Sequence, residues 1–132
     1  MKYVFWDTGA IYAFLNKKDK DHERVKAFIE RYSGKLIITN YIFSEAVTLV
    51  QKRNNHKTAE YIGKVLRDSS NIESFFINQK REKEAWLLFC ARKDKEYSVV
   101  DCTSFIVMKE LGCSGFLGND EHFRWAKCSH NS

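Results

Sequence analysis

Short apolar runs of strand length, separated by stretches with helical periodicity, constrain this chain more than any other feature of its sequence. Tyr3-Val4-Phe5-Trp6 and Leu36-Ile37-Ile38-Thr39 are aromatic and β-branched runs, and each reads as a short buried strand. Residues 73–77 read as a third strand, and Gly115-Phe116-Leu117 is a further short apolar piece. The intervals repeat at three and four residues. Val25, Phe28, Ile29 and Tyr32 predict an amphipathic helix that stops near Gly34; Phe43, Ala46, Val47 and Val50 predict the next; Ala59, Ile62 and Leu66 a third. Residues 82–92 predict another. Ser98-Val99-Val100-Asp101 has the spacing of a capping box, opening a helix with Phe105, Met108 and Leu111 that ends at Gly112. A last helical turn or two is predicted from Glu121. Four- or five-residue strands alternating with helices imply a parallel sheet joined by right-handed crossovers. The expected fold is therefore a three-layer α/β/α sandwich around a central, mainly parallel sheet.

The whole chain, 1–132, reads as a single domain, because no repeat, low-complexity stretch or Gly/Ser linker divides it. No apolar run reaches the length of a membrane span, and Asp7 interrupts the N-terminal apolar stretch where a signal peptide would continue. The expectation is a cytoplasmic protein without membrane association. Lys and Arg total 22 against 17 Asp and Glu, a formal charge of +5 that suits a polyanion and equally suits a solvated surface. Cys90, Cys102, Cys113 and Cys128 form no C-x-x-C pair, which points to free thiols in a reducing compartment rather than a zinc site. Glycine-rich phosphate loops and a G-x-S-x-G elbow are absent. His22 and His56 lie in polar stretches and are expected on the surface. Trp6 and Trp86 lie within apolar runs and are expected in the core.

The acids carry the chemistry. Ligands of an open parallel sheet bind beyond the carboxyl ends of its strands. Asp7 falls there after the first strand, and Asp120 just past Phe116-Leu117. Asp101 lies in the first turn of its helix. Each also has a purely structural reading, as a turn or capping residue. Glu45 is different: Ile42 and Leu49 flank it at i−3 and i+4, and no Lys or Arg stands at i±3 or i±4. An acid on an apolar flank needs a partner, a proton or a metal. If these carboxylates converge, a divalent cation with an oxygen shell, Mg²⁺ or Mn²⁺, would offset their repulsion, activate water and stabilise charge on a phosphodiester.

The motifs Asp7-Thr8-Gly9-Ala10, Thr39-Asn40-Tyr41 with Glu45, Tyr97-Ser98-x-x-Asp101 with Ser104-Phe105, and Asn119-Asp120-x-His122-Phe123 occur in order along the chain. Together they resemble a PIN domain, most closely the small prokaryotic VapC-like toxin ribonucleases. That resemblance implies a Mg²⁺- or Mn²⁺-dependent endoribonuclease that hydrolyses RNA by attack of water. It implies that Asp7, Glu45 and Asp101 are the core catalytic and metal-binding acids and Asp120 a fourth. Thr8 and Ser104 would be supporting hydroxyls near the site, and Asn119 a polar residue flanking the fourth acid. It also implies RNA as substrate, an antitoxin protein as partner and a homodimer. Gly118 departs from the pattern, standing where relatives often carry Thr or Ser. The competing reading is a catalytically silent nucleic-acid-binding module on the same fold. A receiver-type domain fits less well, because Asp7 is a single acid and no lysine lies between Gly115 and Phe123.

Overall fold

The computed structural model describes residues 2–93 and 96–118. The helix expected from Glu121, and with it Asn119, Asp120, Trp125 and Cys128, lies outside the described residues. Within them the chain runs β1 (Tyr3–Trp6), α1 (Thr8–Leu15), α2 (His22–Arg31), β2 (Lys35–Thr39), α3 (Asn40–Arg53), α4 (His56–Asp68), β3 (Ile72–Phe75), α5 (Gln79–Ala91), α6 (Val99–Leu111) and β4 (Gly115–Leu117). The four strands form an all-parallel sheet in the order β3-β2-β1-β4. The expected α/β fold is thus the observed one.

Strand chemistry sets that order. Phe5, Ile37 and Ile38 are fully buried, as residues on a sheet covered on both faces must be, and they occupy the central strands β1 and β2. β3, at one edge, buries little. The chain moves outward from β1 to β2 to β3, then returns to place β4 on the far side of β1. Right-handed crossovers therefore put α1 to α4 on one face and α5 and α6 on the other. The packing agrees: α1 lies against α2 and α3, α3 against α4, and α5 against α6.

Helix boundaries follow from side-chain caps. Thr39 closes β2 and at once caps α3, its hydroxyl accepting from the Ile42 N–H at 3.0 Å, so no loop separates strand from helix. Asn55 and Asn78 cap α4 and α5 in the same way. Ser98 and Asp101 make the expected reciprocal capping box on α6. At the other end of α6, Gly112 adopts φ 61°, with the Cys113 N–H bonded to the Met108 carbonyl at 3.0 Å and its own N–H to Lys109.

Two expectations are corrected here, and one helix is added that the sequence pattern did not show. α1 had no clear stripe in the sequence, because its apolar residues are nearly continuous and it is only eight residues long. His22 is buried rather than exposed, since α2 packs on α1 and the ring Nδ1 pairs with the Ala13 carbonyl at 2.7 Å. Trp86 is 53% exposed instead of in the core, because α5 buries only Ala85. Trp6 is in the core as expected, and His56 is exposed. Cys102 and Cys113 are buried free thiols, whereas Cys90 is exposed.

An added Cβ on Gly112 meets no atom within 4 Å, so the cost of a side chain there is conformational alone. Gly112→Ala is expected to lose about 1–2 kcal/mol in urea unfolding, and Gly112→Asn distinctly less. Equal stability of the alanine variant and the native chain would contradict this.

Candidate active site

The sheet's topology creates one crevice before any side chain is considered. Strand order reverses between β1 and β4, and in open parallel sheets the gap beyond the carboxyl ends at such a reversal is where ligands bind. Asp7 stands at this point. Its N–H donates to the Leu117 carbonyl at 2.9 Å, continuing the β1–β4 ladder by one bond. Its carbonyl accepts from the Ala10 and Ile11 N–H groups, which start α1. Strand end and helix start thus share one residue.

An open cleft of about 860 Å³ lies over this point, lined by Asp7, Thr8, Asn40, Glu45, Lys52 and Asp101 among others. The three acids come from three separate elements: the end of β1, the second turn of α3 and the first turn of α6. Thr8 Oγ1 donates to Glu45 Oε1 at 2.5 Å and ties α1 to α3 across the cleft. Asp101 Oδ2 accepts from the Ser98 N–H at 2.9 Å while its side chain lines the cleft. Lys52, two helical turns beyond Glu45, is the one cation among the described residues that line it.

Electrostatics mark Asp7 as the focus. Burial is the largest cause raising its carboxyl, from 3.8 to about 7; the Asp101 charge adds to this, and the Glu45 charge adds less. The N–H groups of Thr8 and Gly9, at the start of α1, pull the other way. Among the described residues, no group of three or more His, Cys, Asp or Glu is disposed to hold a metal ion by itself. Asp101 is turned partly toward its capping bond, and Glu45 toward Thr8.

The remaining sequence-predicted residues divide. Thr8 lines the cleft and is buried. Ser104 is fully buried, its hydroxyl bonded to the Val100 carbonyl at 3.2 Å, and it is not among the described lining residues. Asn119 and Asp120 lie outside the described residues. Glu45 is exposed, so the apolar flank expected around it is not what surrounds its carboxylate. Gly118, just short of the fourth acid, is packed tightly: a Cβ there would stand 2.6 Å from the Phe116 ring and 3.0 Å from the Asp7 Cβ. A threonine or serine at 118 would therefore require Phe116 to move.

Sequence reasoning missed supporting contacts that polar side chains make with groups far along the chain. Asn40 Oδ1 accepts from the Ile77 N–H at 2.6 Å and pins the loop after β3 beside the cleft. Arg24 Nη2 donates to the Gly118 carbonyl at 2.9 Å and holds the end of β4. Tyr41, at the mouth of the cleft, donates its hydroxyl to the Glu82 carboxylate on α5. No local pattern announces such contacts.

Comparisons with known proteins agree with this picture. The model of the PIN domain family matches residues 4–127. The 23S rRNA-specific endonuclease VapC20 of Mycobacterium tuberculosis is 28% identical over 120 residues, which is 91% of each chain. A VapC ribonuclease of Archaeoglobus fulgidus is 29% identical over 110 residues, 80% of this chain and 69% of that one. The crystal structure of Mycobacterium tuberculosis VapC20, described as a sarcin–ricin loop cleaving toxin, superposes with a TM-score of 0.87 at 28% identity, covering 93% of this chain and 94% of that one. A toxin–antitoxin complex from Klebsiella pneumoniae matches at TM-score 0.61 and 14% identity over 91% of this chain and 89% of that one, and shares the fold.

The raised Asp7 carboxyl links stability to pH. Between about pH 4 and 7 the folded, metal-free chain keeps a proton that the unfolded chain releases, so stability falls as pH rises through that window. Asp7→Asn is expected to stabilise the metal-free protein at pH 8 by about 1–3 kcal/mol and to have little effect at pH 4. Thermal unfolding in EDTA at the two pH values measures it, and an equal effect at both would refute the assignment.

Proposed function

Since this chain belongs to the PIN domain family, we propose that it is a divalent-metal-dependent endoribonuclease that acts as the toxin of a toxin–antitoxin pair. The observation that carries this reading is the meeting of Asp7, Glu45 and Asp101 from three elements at one cleft, where burial, with the charges of the other two, raises the Asp7 carboxyl. Relatives named as an rRNA endonuclease and a ribonuclease support RNA as the substrate. The silent-module alternative is weaker, because a binding surface for a polyanion gains nothing from three acids at its centre.

The donor set suits a hard cation. All three side chains offer only oxygen, and a single described lysine faces them. Mg²⁺ retains several waters and takes one or two carboxylates directly, which fits acids that share a cleft without closing a three-ligand cage. Asp7, Glu45 and Asp101, with Asp120 as the fourth acid, are the residues that would hold Mg²⁺ or Mn²⁺. Bound there, such an ion lowers the pKa of a coordinated water and stabilises charge on the phosphodiester.

The chain's own groups do the rest. Thr8 fixes the Glu45 carboxylate through its hydroxyl, and the capping box fixes Asp101 at the start of a helix whose interior is buried. Both acids are thus held at the cleft before substrate arrives. Lys52 is placed to take a phosphate oxygen of the RNA, offsetting the field of the acids at the cleft's end. Asn119, beside the fourth acid, and Ser104, whose bond to Val100 steadies the first turn of α6, act as supporting residues.

The partners in this reading are RNA, an antitoxin protein and a second copy of the chain. Leu87, 60% exposed on α5, and Phe76, 64% exposed after β3, support self-association. No described helix is long and apolar enough to cross a membrane; action in the cytoplasm belongs to this reading through its RNA substrate and antitoxin partner.

Cleavage of structured RNA is expected with Mg²⁺ or Mn²⁺, to be abolished by EDTA, and to fall at least about a hundredfold in a folded Asp101→Asn variant. Asp7→Asn is expected to behave alike and Asp120→Asn to lose less. Induction of the native chain alone should arrest bacterial growth, and Asp101→Asn should not. An active, well-folded Asp101→Asn enzyme would sink the proposal. By light scattering the native chain is expected at dimer mass and Leu87→Glu at monomer mass; a native monomer would remove the homodimer.

A further inference from the structure

α5 carries a second feature that the acid cleft does not use. Gln79, Lys80, Glu82, Lys83 and Trp86 line an open cleft of about 910 Å³ together with Val99 of α6 and Tyr41 of α3. Tyr41 also lines the acid cleft, so the two clefts adjoin at this residue. The Trp86 indole is 53% exposed and is backed by Phe89, whose ring stacks on it at 5.6 Å and 21°. A large flat apolar surface has therefore been left facing solvent, with two lysines beside it. The acid in this cleft, Glu82, is engaged by the Tyr41 hydroxyl.

We propose that this second cleft is a nucleobase subsite. An RNA strand with its scissile phosphate among Asp7, Glu45 and Asp101 continues past Tyr41 and stacks an unpaired base on Trp86. Lys80 and Lys83 take the flanking phosphates. Stacking on an exposed aromatic with cations alongside is how single-stranded RNA is held, because every base has a π face and every linkage a charge. The cleft's aromatic residues suit either kind of partner, but Lys80 and Lys83 favour RNA, since the centres of protein interfaces are depleted in lysine. Trp86 also lies about 100° round the helix from Leu87, so it faces a different direction from the residue assigned to self-association. The subsite deepens the ribonuclease reading and rests on it for the course of the strand.

Binding of a twelve-nucleotide single-stranded RNA with Mg²⁺, in an Asp101→Asn background that prevents turnover, tests the proposal. Trp86→Ala is expected to weaken binding about tenfold or more, and Trp86→Phe, which keeps a ring, by much less. RNA should quench tryptophan fluorescence in the parent and lose that quenching in Trp86→Phe. Lys80→Ala and Lys83→Ala should each reduce the slope of affinity against salt. Unchanged affinity in Trp86→Ala overturns the subsite. So does a loss of affinity that appears only with a change of mass in light scattering, which assigns the face to a second copy, and so does failure of the parent to bind. If the oligonucleotide binds with the Trp86 signature but the native chain cleaves no RNA, the ribonuclease reading fails while the subsite stands.

Discussion

The peptide of Asp7 is where the architecture is decided. Its N–H extends the β1–β4 ladder to Leu117, and its carbonyl begins α1. Because the strand passes into the helix with no intervening loop, the side chain is held at the carboxyl edge of the sheet, where strand order reverses. The same economy recurs at Thr39, which ends β2 and caps α3, and so fixes Glu45 one turn and a half further along. A loop at either junction would let the acids drift apart. With both junctions rigid, the carboxylates are held near one another whatever their repulsion.

That repulsion has a structural counterpart in the burial around Asp7. A carboxyl raised to about 7 by enclosure and by two like charges is a strained feature, in contrast with Glu110, which Arg81 pairs through a two-pronged contact at 3.1 and 2.6 Å. The opposing N–H groups at the start of α1 offset part of the strain. Rigid junctions hold a destabilised group in place. Asn40 on the cleft wall, and Arg24 and Gly118 behind it, serve this arrangement through the loop after β3, the end of β4 and the close contact with Asp7.

Much of this was legible in the residues. The strands β1 and β2 are continuous apolar runs because a parallel sheet is covered on both faces, and helices α2, α3, α4 and α6 each show one apolar stripe. The capping box and Gly112 fixed the ends of α6 in advance, since caps act within three or four residues. α1 was hidden because almost all of it is apolar, and a buried helix without a polar face shows no period. α5 was foreseen as a helix, but Trp86 was misplaced: an apolar residue marks a core only when its neighbours cover it fully, and here they leave it 53% exposed. His22 failed in the opposite sense, because its burial depends on a carbonyl in another helix.

What the sequence determined by itself was therefore local: which segments are strands or helices, where caps start and stop them, and which acids fall at strand ends and first turns. These follow from neighbours within a turn or two of chain. Only the tertiary structure decided that Asp7, Glu45 and Asp101 share one cleft, that Thr8 holds Glu45, and that Tyr41 joins this cleft to the exposed face of Trp86. Those relations depend on strand order and crossover direction, which bring residues 37 and more positions apart into contact, and no spacing along a chain encodes a distance across a sheet.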